Sequence, residues 1–279
     1  MGHPNLFSCI KRLVSLFPIA YSRLPVFTIH SMTTARTSPS ARAKSASPVT
    51  LAIDIGGTGL KAMLLDHAGK PVSERQRVLT PETPTPEAVL AELDKVVEAL
   101  PGFTRVSVGF PGVIKHGVTY SAVNLHPDWV EYPLQQELEK RWKRPARATN
   151  DAAVQGYGAI KGKGVELMIT LGTGMGSSLF SSGRLCPGLE LGHHPWKKKS
   201  YEDYLGKKGL EKNGKKRWNK HLAQAIEQTS LTFNWDYLYI GGGNARKIEF
   251  ELPKNAEIVS NDAGLLGGVA LWRDDALIG

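Results

Sequence analysis

Twice in this chain an apolar run enters a glycine-rich turn and a second apolar run leaves it. The first unit is "TLAIDIGGTGLKAMLLD" (Thr50–Asp66) and the second "ELMITLGTGMGSSLFSSGRL" (Glu166–Leu185). Each reads as two adjacent strands joined at glycines. One such unit is a common hairpin. Two of them, one near each end of the core, point to a duplicated α/β architecture in which each half presents a backbone-lined turn to a shared cleft. The first unit also carries an acid, Asp54, inside the strand that enters the turn, which a plain hairpin does not need.

The rest of the core is mixed α/β. "PVSERQRVL" reads as a third strand. "TPTPEAVLAELDKVVEAL" opens on Thr and Pro and spaces Val89, Leu90, Leu93, Val96, Val97 and Leu100 along one helical face. "RVSVGF" reads as a buried strand, "PLQQELEKRW" as a helix, "ARATN" as a short strand, and "DAAVQGYGAIKG" as a small-residue helix with Asp151 at its start. A lysine-rich stretch, expected to be a solvated face or loop, follows the second hairpin. Then come a helix near His221–Phe233, the strands "YLYIGGG" and "EIVSN", and a C-terminal helix from Asp262.

Residues 1–49 differ from this core. They hold six Lys/Arg and no Asp or Glu, and Ser31–Ser47 are rich in Ser, Thr, Ala and Arg, a composition that does not build a packed core. Residues 1–48 are expected to be a disordered leader. A transit peptide, a secretory signal and a start upstream of a true first residue at Met32 are its three readings. Pro18, Arg23 and Pro25 interrupt its apolar part too often for a membrane span, and no membrane is expected as a partner. Without the leader's cations the net charge of +9 falls to 29 basic against 26 acidic residues. Cys9 and Cys186 are too few and too far apart for a disulfide framework or a paired-cysteine metal site. They fit a reducing compartment, so the cytoplasm is expected, with an organelle as the alternative.

The glycine turns carry the chemistry. Gly56 and Gly57 let backbone N–H groups approach an oxyanion closely, Thr58 adds a hydroxyl donor, and Asp54 can hold Mg²⁺ directly or through water. Gly172, Thr173, Gly174 and Gly176 repeat the arrangement. Two familiar nucleotide motifs fail. "GLEKNGKK" (Gly209–Lys216) has Lys216 where a P-loop needs Ser or Thr, and no apolar strand precedes it. "GTGMGS" lacks the G-x-G-x-x-G spacing and leads into a strand.

The opening stretch, the second turn, "ATNDAAVQGYG", "GLELGHH" and "YIGGGNARK" together, in this order, resemble sugar kinases of the ROK group in the actin-like/hexokinase ATPase superfamily. Within the group they are most similar to polyphosphate glucokinases. The resemblance runs from about Val49 to the C-terminal helix. It implies an α/β fold of two RNase H-like domains around a central cleft, one over 49–150 completed by 262–279, the other over 151–261. It also implies phosphoryl transfer to the 6-hydroxyl of glucose with Mg²⁺, and a homodimer is expected.

By the same resemblance Asp151 is the catalytic base, although Asp at this place also reads as a helix N-cap. Asn150, Glu190 and His193 match sugar-binding residues, as does Glu202, where the following turn departs from the family pattern and reads "LGKKGL". Asn124, in "AVNLHPDW", matches a segment lining the sugar side, and Pro111 and Gly112 shape the cleft. Lys61 joins the first turn in holding the phosphoryl donor. Gly241, Gly242, Gly243 and Asn244 match the loop beside the donor's nucleoside. Many ROK proteins carry a cysteine-rich zinc motif after the sugar-binding histidine. "GHHPWKKKSYEDYLG" has no cysteine, so no structural zinc is expected.

Ten Lys/Arg and three acids lie between Trp196 and His221. Lys197, Lys198, Lys199, Lys207 and Lys208 stand at the head of this run. They read either as a solvated surface or as a track for polyphosphate, a linear polyanion held by many cations with strong salt dependence. The expected donors are therefore polyphosphate and/or ATP. An ATP-dependent ROK kinase for mannose or an N-acetylhexosamine is the alternative. A sugar-sensing regulator would need an N-terminal DNA-binding helix pair that residues 1–49 do not offer. Few stacking aromatics interleave the lysines, so nucleic acid is not expected as a partner.

Overall fold

The computed structural model describes residues 47–122, 125–186, 188–260 and 263–273. Its strands are β1 (Thr50–Ile55), β2 (Leu60–Leu65), β3 (Gln76–Val78), β4 (Arg105–Phe110), β5 (Ile114–Lys115), β6 (Val118–Thr119), β7 (Ala146–Asn150), β8 (Val165–Leu171), β9 (Met175–Ser181), β10 (Arg184–Leu185), β11 (Pro195–Trp196), β12 (Lys199–Ser200), β13 (Tyr237–Gly241) and β14 (Ala256–Ile258). One five-stranded sheet runs β3-β2-β1-β4-β7 and the other β10-β9-β8-β13-β14. In each, the first three strands form an antiparallel meander and the remaining two join in parallel. The same order and directions recur, so the duplication suggested by the two glycine hairpins extends to the whole topology.

The helices are α1 (Pro86–Glu98), α2 (Leu134–Trp142), α3 (Asp151–Tyr157), α4 (Tyr201–Leu205), α5 (Lys207–Phe233) and α6 (Ala263–Leu266). Strand β1, at the centre of its sheet between antiparallel β2 and parallel β4, is buried on both faces. Leu51, Ile53 and Ile55 pack against Val89, Leu90 and Leu93 of α1 and Leu134 and Leu138 of α2. The face bearing Ala52 is covered by Leu265 and Val269 from the C-terminal segment. In the second half Leu167, Ile169, Leu238 and Ile240 pack against Leu205, Trp218, Leu222 and Ile226 of α4 and α5. Helix α1 begins as its sequence dictates. Thr85 accepts from Ala88 N–H at 3.3 Å and Pro86 occupies the first turn.

Two expectations about secondary structure change. The lysine-rich stretch is mostly helix, with α4 capped reciprocally by Ser200 and Asp203 and α5 starting at Lys207. Gly214, at φ 72°, breaks α5 into two segments. Among the described residues the C-terminal segment is α-helical over Ala263–Leu266 and tightens to a 3₁₀ turn over Gly267–Trp272. Its glycines explain the change. A Cβ on Gly267 would collide with the Val154 carbonyl, so the chain runs backbone to backbone against α3.

Candidate active site

Each glycine hairpin is held by its own backbone. Gly56 N–H donates to Gly59 O at 3.2 Å and closes the first turn, and Thr80 Oγ1 donates to Gly56 O. Gly57 and Thr58 stand exposed at its tip. Asp54 and Lys61 face each other across the β1–β2 ladder, and Lys61 Nζ lies 2.6 Å from Asp54 Oδ2. In the second hairpin Gly172 N–H donates to Gly174 O at 3.0 Å, and Thr170 Oγ1 accepts from Gly176 N–H at 3.1 Å. Two neighbours fix this turn. Asn244 donates its side-chain amide to Gly172 O at 2.9 Å. Lys207 N–H, opening α5, donates to both Gly172 O and Thr173 O at 3.1 Å.

Asp151 sits where β7 ends and α3 begins. The cap of α3 is Asn150, whose Oδ1 accepts from Ala152 N–H at 2.9 Å while its Nδ2 donates to Gly112 O at 3.2 Å. Asp151 Oδ1 also accepts from Ala152 N–H, at 2.7 Å. The Asp151 carboxyl lies deep between the two halves, with part of its surface open to the cleft. Burial pushes it from the ordinary 3.8 up to about 7, and the negative Asp54 and Glu190 add to the rise. The Ala152 hydrogen bond and Lys61 work the other way. A carboxyl poised there is matched to proton transfer near neutral pH.

Three further polar groups face Asp151 from the second half. His193 Nδ1 is 3.8 Å from Glu190 Oε2, and His193 Nε2 is 4.0 Å from Glu202 Oε2. Glu202 Oε2 also accepts from Met175 N–H at 3.0 Å, and its carboxylate lies directly over Gly174, where a Cβ would leave it no room. A side chain at position 174 would displace the Glu202 carboxylate from the Met175 N–H. Burial pushes the Glu190 carboxyl up, His193 pulls it down, and Glu202 adds to the rise.

One cleft of about 470 Å³ collects these groups. From the first half come Asp54, Gly56, Gly57, Thr58, Lys61, Pro111, Gly112 and Asn150. Asp151 lies at the crossing, and Gly172, Thr173, Gly174, Glu190, His193, Glu202, Gly242 and Gly243 come from the second half. Gly241 packs beneath the wall against Gln155 and Met168. Asn244 acts through the second turn, as described. Asn124 lies outside the described residues.

The lysines of the basic run do not line the cleft. Lys197, at φ 56°, folds back over the Trp196 ring at 4.2 Å and reaches Gln224 Oε1 at 2.6 Å and His221 Nδ1 at 3.0 Å. Its ammonium serves packing. Cleft residues that sequence reasoning missed include Arg75, Arg77 and Gln155. The signal for Arg77 was its place in the strand read from "PVSERQRVL"; Arg75 lies just before β3.

The model of the ROK family matches residues 50–210, more than half of the chain. A polyphosphate glucokinase of Mycobacterium tuberculosis (strain CDC 1551 / Oshkosh) is 29% identical over 232 residues, which cover 77% of this chain and 88% of that protein. An N-acetylmannosamine kinase of Escherichia coli (strain SE11) is 37% identical over 153 residues, 52% of each chain. Among solved structures, an inorganic polyphosphate/ATP-glucomannokinase from Arthrobacter sp. strain KM matches at 33% identity with a TM-score of 0.72, covering 80% of this chain and 97% of the other. With the family match over residues 50–210 and this structural relative, the chain belongs to the ROK family.

Proposed function

We propose that this chain is a glucokinase that moves a terminal phosphoryl group from polyphosphate or ATP to the 6-hydroxyl of glucose. The observation that carries the reading is the Asp151 carboxyl, held at about 7 between the two glycine turns and facing Glu190, His193 and Glu202. Those three groups, with Asn150, accept and donate hydrogen bonds to the sugar hydroxyls and leave the 6-hydroxyl against Asp151. Asp151 takes the hydroxyl proton as that oxygen bonds to phosphorus, and the bridging P–O bond of the donor breaks. The donor leaves one phosphate shorter. The N–H groups of the turns and Lys61 hold the phosphoryl oxygens while charge redistributes.

Mg²⁺ takes one or two carboxylates plus substrate phosphates and water. Asp54, a single carboxylate beside the phosphate turn, fits that demand, and no cluster of three His, Cys, Asp or Glu among the described residues offers a cage of its own. Bound there, the ion supplies charge neutralisation to the donor's phosphates. A homodimer in the cytoplasm, with no nucleic-acid partner, completes the proposal. No helix among the described residues is long and apolar enough to cross a membrane.

The test crosses glucose and mannose with ATP and polyphosphate on the purified chain. Glucose 6-phosphate is expected with both donors, and its absence with both overturns the reading. Mannose is a second expected acceptor, because the full-length structural relative at 33% identity is a glucomannokinase.

A further inference from the structure

We propose that the side-chain amide of Gln155 is a further contact to the phosphoryl donor, donating to a phosphate oxygen that ATP and polyphosphate share. The inference rests on the glucokinase reading. Ten polar or charged side chains among the described residues are buried, and Gln155, at 8% exposed, is one of them. The other nine hydrogen-bond within the protein. No hydrogen bond joins the Gln155 amide to any described residue. No side-chain nitrogen or oxygen sealed from solvent lacks a partner among those residues, so the amide keeps its opening on the cleft that Gln155 lines. A nearly buried amide without a protein partner costs stability, and a ligand group that completes its hydrogen bonds recovers that cost.

The place of Gln155 in the fold points to the donor. It follows Asp151 by four residues on α3, so the two side chains share one face of the helix. Helical side chains lean toward the N-terminus, which carries the amide back toward the Asp151 end. On its other side is Gly241, where an added Cβ would stand 2.5 Å from Gln155 Nε2. Gly241 pairs with Thr170 across β8–β13, and Thr170 Oγ1 accepts from Gly176 N–H in the second hairpin. The amide therefore lies between the proposed base and the root of the second glycine turn.

The chemistry of the residue suits that spot. In "DAAVQGYG" Gln155 stands among Ala152, Ala153, Val154 and Gly156. A side chain that only filled the space would be apolar, as Met168 beside the same Gly241 is. A lysine or arginine here would pair with Asp151 and hold it ionised, and a carboxylate would repel an anionic donor. An amide offers N–H groups to a phosphate oxygen without a charge of its own. It can hold the donor while burial continues to set the state of Asp151.

The experiment compares the wild-type chain with Gln155→Met, which keeps the length and removes the amide, and with Gln155→Ala, which cannot crowd Gly241. Calorimetric titration in Mg²⁺ buffer gives the Kd of ATP and of tripolyphosphate, thermal melting gives the Tm without ligand, and initial rates give the glucose KM. Both variants are expected to bind both donors about tenfold or more weakly, the worth of one hydrogen bond to a charged group. The glucose KM should stay where it is. The Tm of Gln155→Met should equal or exceed that of the wild type, because an unpartnered amide contributes no stability. Unchanged affinity for both donors, a loss confined to one of them, a rise in glucose KM in place of the donor loss, or a lower Tm in Gln155→Met each overturns the inference. A wild-type chain that binds both donors without phosphorylating glucose fails the glucokinase reading, and the titrations still decide the role of Gln155. A wild-type chain that binds neither donor overturns both.

Discussion

Replacing Asp151 by Asn should make the protein less active and more stable, and the two effects should follow different pH courses. The carboxyl is raised from 3.8 to about 7 in the folded chain. A group whose folded value is raised contributes stability that is complete below its unfolded value and is lost as the pH rises through the folded one. Above pH 7 the native state therefore carries a buried carboxylate, at a cost on the order of 4 kcal/mol relative to the neutral acid. Asparagine mimics the neutral acid and can keep the Oδ1 contact to Ala152 N–H. At pH 8 the variant should gain about 2–4 kcal/mol, or roughly 5–10 °C in Tm for a chain of this size. Near pH 4 the gain should shrink towards zero. Turnover should fall by about 10²–10⁴-fold, the usual worth of a positioned general base. In the wild type, kcat/KM should climb about tenfold per pH unit up to about 7 and then level off. Calorimetry and initial rates from pH 4 to 9 measure both. A variant with near-normal kcat, or with a stability gain that does not change with pH, would refute the assignment of Asp151 as a buried base.

On the proposed reading, Glu190→Ala and His193→Ala should each raise the glucose KM by about tenfold or more while leaving the donor KM nearly unchanged, since each would remove a hydrogen bond to a sugar hydroxyl in the cleft these residues line. A rise in donor KM instead would mean the two sites are interchanged. Lys197→Ala should cost about 1 kcal/mol by thermal melting, through loss of its seat on Trp196 and its bonds to His221 and Gln224. Its ratio of polyphosphate to ATP activity should not move, and a shift in that ratio would return Lys197 to the donor track. Trp218→Ala should cost about 3–5 kcal/mol, because the fully buried ring fills the space between α4 and α5 and donates to Leu205 O at 2.8 Å. A loss below about 1 kcal/mol would mean the two segments of α5 repack independently.

The two hairpins were readable because glycine is strong punctuation between apolar runs, and the strands around them needed only the apolar pattern. The pairing register was not readable, so the pairing of Lys61 with Asp54 on one side and Arg77 on the other stayed hidden although each residue was in plain view. The helix in the lysine-rich stretch was missed for a different reason. Between Lys207 and Arg217 the only large apolar residue is Leu210, so the segment before the break at Gly214 carries no apolar period to read. Asp151 at the start of α3 looked like a cap, whereas Asn150 beside it takes that role. Both residue types cap equally well, and only the backbone decides between neighbours.

The C-terminal segment has a consequence for how the chain is made. Ala52, Met63 and Leu65 are covered by Leu265 and Val269, and Ser107 Oγ donates to Gly268 O at 2.7 Å while accepting from Trp272 Nε1 at 2.8 Å. About 200 residues separate Leu65 from Leu265. At about 5–20 residues per second, a ribosome takes roughly 10–40 s to deliver the second set after the first. Throughout that time one face of the earliest sheet stands bare, with its apolar side chains open to the solvent. The segment that seals this sheet is made about 200 residues after the strands it covers, so this half is completed only when that segment has emerged, and the nascent chain is the stage at which it is most exposed to misassembly.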